Sequence, residues 1–207
     1  MPRFLKREYA FLSKPLGLWS RIALLVGAIA LAISAFLPLW RIHLVAPQYM
    51  EGLELNIYSH QLKGGNGGQD LHEINNLNHY IGMKPLEEAD FVEMKWVPFA
   101  LGIFVLLALR TIVHGRMSQC IDLLALFTYF GLFSLGSFYY RLYTYGHNLD
   151  PQAPVTIEGF TPRLLGTSQI ANFHQASWPD VGGILMMAFP IAIFLAIWFS
   201  RKEEPAL

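Results

Sequence analysis

Four long apolar segments constrain the fold of this chain more than any other feature of its sequence. They cover residues 22–40, 96–113, 120–140 and 182–200. A helix that crosses the hydrocarbon core of a bilayer needs about 20 mostly apolar residues, and each segment approaches or meets that length. Backbone that faces lipid must satisfy its hydrogen bonds within the segment, so these segments are predicted to be helices. The sequence therefore predicts an all-α integral membrane protein with four transmembrane helices embedded in the lipid bilayer.

The first apolar segment has some features of a secretory signal peptide, because it follows the basic residues of segment 1–21. Its apolar run is longer than the roughly 7–15 residues of a signal-peptide core. It also ends in Leu-Pro-Leu-Trp40, with no small-residue cleavage site after it. We therefore interpret it as a retained transmembrane helix.

Lysine and arginine residues near the ends of the apolar segments predict the orientation, since cytoplasmic loops carry an excess of both. Segment 1–21 is rich in them, whereas the long loop 41–95 has four basic and eight acidic residues. Segment 1–21, the turn 114–119 and the tail 201–207 are therefore predicted to be cytoplasmic. Loops 41–95 and 141–181 are predicted to lie on the outer side.

The composition excludes several classes of function. The formal net charge is zero, so the chain lacks the excess of basic residues that a nucleic-acid partner requires. Cys120 is the only cysteine, which rules out c-type haem and multi-cysteine zinc or iron–sulfur sites. No apolar segment carries a central histidine, so no haem is expected. No catalytic motif is present, and the chain is predicted not to be an enzyme.

The first long loop is predicted to contain a short strand and an amphipathic helix. Apolar and polar residues alternate over 53–58, which is typical of a half-buried strand. The helix is predicted over 70–81, with Asp70 as its N-cap and Gly82 as its C-cap.

At about 100° per residue, the predicted helix has two distinct faces. One face carries His72, Asn76, His79 and Met83, and the other carries Ile74, Leu77 and Ile81. Imidazole and thioether ligands favour copper, so the first face is a candidate metal site. His72 and His79 lie about 10.5 Å apart along the axis, too far for one ion. His79 and Met83 are better spaced if the helix continues past Gly82. The alternative is a helix lying on the membrane surface with its polar face in water.

A further histidine, His174, lies in the second long loop between Phe173 and Trp178. Two interpretations remain open. It is either a histidine held by structural hydrogen bonds within the loop or another ligand to a metal ion on the outer side.

Two segments of the first loop carry a resemblance to a known family. They are Ala46-Pro-Gln-Tyr-Met-Glu-Gly-Leu53 and Asn75-Asn-Leu-Asn-His-Tyr-Ile-Gly-Met83. The chain resembles small four-span bacterial membrane proteins that accompany the copper maturation machinery of nitrous oxide reductase. The resemblance covers roughly residues 38–100 and, more faintly, the loop around His174. It implies a Gram-negative inner membrane with periplasmic loops, and it favours copper as the metal, without an established ligand set.

These observations predict a membrane accessory protein in a bacterial inner membrane. Its periplasmic loops would handle copper or dock a periplasmic copper or electron-transfer partner. The alternative is a non-catalytic structural subunit of a larger respiratory or photosynthetic complex. Both hypotheses imply other membrane or periplasmic protein subunits as partners.

Overall fold

A computed structural model describes residues 3–170 and 172–202. Its α-helices are α1 Arg3–Leu12, α2 Leu18–Ser34, α3 Gln69–Tyr80, α4 Glu93–His114, α5 Met117–His147 and α6 Val181–Lys202. Its strands are β1 Trp40–Ala46, β2 Tyr49–Ile57, β3 Leu62–Gly64, β4 Gly166–Ile170 and β5 Phe173–Pro179. Two short 3-10 helices cover Asn66–Gly68 and Glu88–Asp90. The predicted segment 1–21 begins before the described residues, and most of the predicted tail 201–207, from residue 203 onward, also lies outside them.

The prediction of an all-α fold with four transmembrane helices is wrong. The chain contains a five-stranded antiparallel sheet in the order β3-β2-β1-β5-β4. Among the described residues, three helices are long and apolar enough to cross a membrane: α4, α5 and α6. The strands were missed because they come from the two long loops, where most were interpreted as irregular connections.

The first apolar segment, predicted to be helical over 22–40, overlaps the helix α2, which begins at Leu18 and ends at Ser34. At 17 residues, α2 is about 26 Å long, somewhat less than the roughly 30 Å of a hydrocarbon core. Pro38 follows the helix and disfavours helical backbone at the residue before it. Trp40, predicted to end a transmembrane helix, is instead the first residue of β1.

The described chain divides into two compact units. The first, called here the helix bundle, contains residues 3–34, 99–132 and 184–202. Its buried centre is aromatic, with Phe127 packed edge-on against Phe104 and Phe189 at ring-centroid distances of 5.1 and 4.9 Å. Ser20 donates a hydrogen bond of 2.7 Å to the carbonyl oxygen of Ala196, which satisfies a buried hydroxyl between α2 and α6.

The second unit, called here the sheet domain, contains residues 35–98, 133–170 and 172–183. The sheet joins the two long loops, because β1 of the first loop pairs with β5 of the second over Trp40–Val45 and His174–Pro179. The last turns of α5 also belong to this domain, where Phe138 packs edge-on against Trp40 at 5.6 Å.

One face of the sheet is apolar and packs against α3. The buried cluster between them consists of Ile42, Ala46, Leu53, Leu55, Leu62, Ile74 and Leu77. The predicted helix over 70–81 is confirmed by α3, and its predicted apolar side is also confirmed, since Ile74, Leu77 and Ile81 are all buried.

The predicted N-cap of α3 is wrong, because the cap residue is Gly68 and Asp70 lies inside the first turn. The buried Asp70 carboxylate instead accepts hydrogen bonds from the Glu54 backbone N–H at 2.9 Å and from the Asn66 amide at 2.8 Å. Asp70 therefore ties the start of α3 to β2.

Candidate functional site

The end of α3 separates the two residues that were predicted to share a metal ion. The helix ends at Tyr80, and Gly82 adopts a left-handed conformation with φ of 79°. The backbone N–H of Met83 donates to the carbonyl of Asn78 at 2.8 Å, and that of Gly82 donates to His79 at 3.2 Å. These two bonds form a Schellman motif, which ends a helix and redirects the chain.

As a result, His79 and Met83 have different surroundings. The His79 side chain is exposed, whereas Met83 is half-buried and lines an apolar cavity of about 100 Å³. The cavity lies among the strands, α3 and the last turns of α5, with Ile74 and Phe138 in its wall. The helical i, i+4 spacing between His79 and Met83, on which the predicted copper pair depended, is therefore absent.

His72 also lies on the exposed side of α3. Within residues 3–170 and 172–202, no group of three or more His, Cys, Asp or Glu side chains is arranged to hold one ion. Copper binding by His72, His79, Met83 or His174 therefore stays a prediction from sequence.

A hydrogen-bonded cluster links α3 to β2 on the side of the exposed histidines. The Tyr49 hydroxyl donates to the Glu73 carboxylate, which also accepts from the Asn76 amide at 3.3 Å. The hydrogen bond from Tyr49, followed by that from Asn76, lowers the pKa of Glu73. The same bond to Glu73 raises the pKa of Tyr49, because the carboxylate stabilises the protonated phenol. The cluster is a structural tie between the helix and the strand.

His174 has a different setting, on the face of the sheet opposite α3. It pairs with Val45 across β5 and β1, and His43 pairs with Ala176 two residue pairs away. Side chains directly opposite one another point to the same side, so the two imidazoles occupy diagonal positions on one face. Diagonal neighbours of this kind are about 7–8 Å apart, and their Cβ atoms are somewhat closer.

The face of the sheet opposite α3, called here the polar face, contains an open depression of about 430 Å³. It is lined by His43, Val45, Arg163, Thr167, Ser168, Gln169, His174, Gln175 and Ala176. By strand register the polar side chains on this face are the Arg163 guanidinium, two imidazoles, the Thr167 hydroxyl and the Gln169 amide. No carboxylate is among these lining side chains, so the depression combines hydrogen-bond donors with positive charge.

Gly52 accounts for the position of the His43 ring. Gly52 has φ of 86°, a conformation that residues with a Cβ rarely adopt. A Cβ atom built at Gly52 would collide with the His43 imidazole, so the ring lies directly over this glycine. The absence of a Cβ at Gly52 thus leaves room for the His43 ring.

His174 was predicted from the sequence as a candidate ligand, whereas His43 and Arg163 were not predicted to belong to a site. The signal for His43 was present, because polar Arg41 and His43 alternate with apolar Ile42 and Leu44 at the strand period of two. Arg163 carried no such signal. It precedes β4, and its position depends on strand pairings between residues far apart in sequence.

Comparison with known proteins identified no relative of this chain. The chain matches no protein-family model, no curated protein and no solved structure. The site is therefore interpreted from its own residues.

Proposed function

We propose that this chain is a non-catalytic membrane accessory protein whose sheet domain docks a partner protein. The main support is the pairing of β1 with β5, which joins the two long loops into one sheet. Loops that served only to connect helices would not need a shared hydrophobic core or a five-stranded sheet. A folded domain attached to apolar helices is suited to holding a partner at a membrane surface.

The proposed location is a bacterial inner membrane, with the sheet domain on the periplasmic side. Basic residues support this orientation, since they are frequent in segment 1–21 while acidic residues exceed basic ones in segment 41–95. Both ends of the chain are then proposed to be cytoplasmic, although α2 is shorter than a full span. In support, the Leu16 N–H donates to the Gly115 carbonyl at 2.7 Å and the Gly17 N–H to the Ser200 hydroxyl at 3.3 Å, so the start of α2 lies beside the turn 114–119 and near the end of α6. The proposed partner is another membrane or periplasmic protein subunit. It docks on the polar face of the sheet.

Labelling of single cysteines tests the location. In a Cys120→Ala background, Asn66→Cys in the sheet domain should react with a membrane-impermeant thiol reagent added to intact cells that lack an outer-membrane barrier. Arg116→Cys, in the predicted cytoplasmic turn, should react only after the cells are opened. Both side chains are exposed, so the comparison is matched. Reaction of Arg116→Cys alone in intact cells would contradict the orientation.

Reciprocal purification tests docking. A protein that co-purifies with the wild-type chain in mild detergent should be lost with Thr167→Arg, a bulky change on the exposed polar face. It should be retained with His72→Arg, a matched change on α3. The partner, tagged in turn, should recover the wild-type chain and the His72 variant but not the Thr167 variant. Equal recovery of all three would exclude docking on the polar face.

A further inference from the structure

The depression on the polar face has the chemistry of an anion site. Arg163 lines it, and among the described residues no ion pair is formed with this guanidinium. A guanidinium presents several donors in a planar fork that matches phosphate and carboxylate oxygens. The side chains of Thr167 and Gln169 add a hydroxyl and an amide on β4.

The other charged groups on this side of the sheet leave Arg163 as the dominant charge. Arg41 is neutralised by Asp180 at 2.7 Å and also contacts Glu54 at 3.8 Å. Lys63 lies on β3, at the opposite edge of the sheet from β4. None of these four residues lines the depression.

The two histidines suit an anion better than a metal ion. A metal needs further ligands, and the lining contains no carboxylate or thiolate. Glu54, which pairs with His43 across β2 and β1, lies outside the lining and contacts Arg41 at 3.8 Å. The Arg163 guanidinium would also repel a cation. In contrast, each imidazole has a ring N–H that can donate to an anion.

We propose that this depression binds a small organic anion bearing a phosphate or carboxylate group, held by Arg163 with His43 and His174. Its volume of about 430 Å³ exceeds that of an inorganic ion and lies within the roughly 300–1,000 Å³ of small-molecule sites. The same chemistry fits two sources, a soluble phosphate ester or carboxylate and the headgroup of an anionic phospholipid. This site goes beyond the docking function and does not require it.

Titration of the full chain in phosphatidylcholine nanodiscs with glycerol phosphate and with succinate tests the proposal. Binding is followed by NMR through the histidine ring protons, at constant ionic strength so that screening does not change. At least one probe should shift the signals of His43 and His174. Arg163→Gln should weaken binding about tenfold or more, since it removes a charge-assisted hydrogen bond.

Lys63→Gln is the matched control, because it removes the same charge from an exposed position outside the depression. It should leave the affinity within about twofold of wild type, as expected for a distant, screened charge. His174→Gln provides a second variant and should also weaken binding. Thermal unfolding of each variant shows whether it is folded.

The proposal is overturned if neither probe shifts the wild-type histidine signals. It is also overturned if folded Arg163→Gln binds as wild type does, or if Lys63→Gln weakens binding as much as Arg163→Gln. Nanodiscs containing phosphatidylglycerol distinguish the two sources. If the free probe binds in phosphatidylcholine nanodiscs but not in phosphatidylglycerol nanodiscs, the natural ligand is the phospholipid headgroup. Equal binding of the probe in both lipids identifies a soluble anion. Docking is tested separately by the purification experiment, so either idea can fail alone.

Discussion

Replacement of Ile74 by alanine tests the packing that holds the sheet domain together. Ile74 lies in the middle of α3 with 1% of its surface exposed, and it contacts the sheet through the apolar cluster. It also lines the cavity of about 100 Å³, so truncation enlarges an existing void.

The expected cost follows from two contributions. Removing three side-chain carbons forfeits about 2.4 kcal/mol of transfer free energy, at about 0.8 kcal/mol each. Each cubic ångström that stays empty adds about 24 cal/mol, which brings large-to-small core substitutions to about 2–5 kcal/mol. We therefore expect Ile74→Ala to lower the free energy of unfolding of the sheet domain by about 3–4 kcal/mol.

Pulse proteolysis of the full chain in increasing urea measures this change, because cleavage reports the unfolded fraction of the sheet domain. Ile74→Val should cost only about 1 kcal/mol. His72→Ala, on the exposed side of the same helix, should change stability by less than about 0.5 kcal/mol. A loss for Ile74→Ala no larger than that for His72→Ala would refute the packing of α3 on the sheet.

Three further predictions concern the surroundings of this core. The pKa of Glu73 is lowered from 4.5, so its bond from Tyr49 stabilises the fold above pH 4.5 and is lost as the pH falls through the lowered value. In Tyr49→Phe, the melting temperature should therefore fall less than in wild type as the pH is lowered from about pH 7 to about pH 3. Gly52→Ala should cost about 1–2 kcal/mol, because a Cβ is strained at φ of 86°, and should shift the NMR signals of the displaced His43 ring. If His79 binds copper as the sequence predicts, His79→Ala should lose most of the copper that wild type retains after dialysis against a weak chelator, whereas Ile74→Val should retain it. Equal retention of copper by wild type and His79→Ala would contradict the metal site predicted from the sequence.

Local patterns predicted the parts of this fold that depend on local interactions. The sequence predicted α3 because Ile74, Leu77 and Ile81 recur at helical spacing on one face. All three are buried. The alternation of Leu53 and Leu55 likewise predicted part of β2. Both patterns arise from residues that are close in sequence, so no knowledge of distant pairing was needed.

The rest of the sheet depends on pairing that no local pattern encodes. β1 begins at Trp40, the last residue of the first apolar segment, so Trp40 was interpreted as a helix end and not as the start of a strand. In β5, Gln175 and Ser177 face the apolar side of the sheet, which removes the apolar–polar alternation that identifies strands. His174 and His43 come together only through this register, so the depression could not be predicted from the sequence.

The most direct test of the account is a disulfide between the two long loops. In a Cys120→Ala background, Val45→Cys and His174→Cys occupy directly paired positions on β1 and β5. Opposed residues of antiparallel strands have Cα atoms about 4.5–5.5 Å apart, which suits a disulfide. Val45→Cys with Thr167→Cys is the control, because Thr167 lies on β4, two strands away and about 10 Å distant. The account predicts that mild oxidation closes the first pair rapidly and leaves the control pair open. Equal cross-linking of the two pairs, or none in the first, would contradict a single sheet built from both loops.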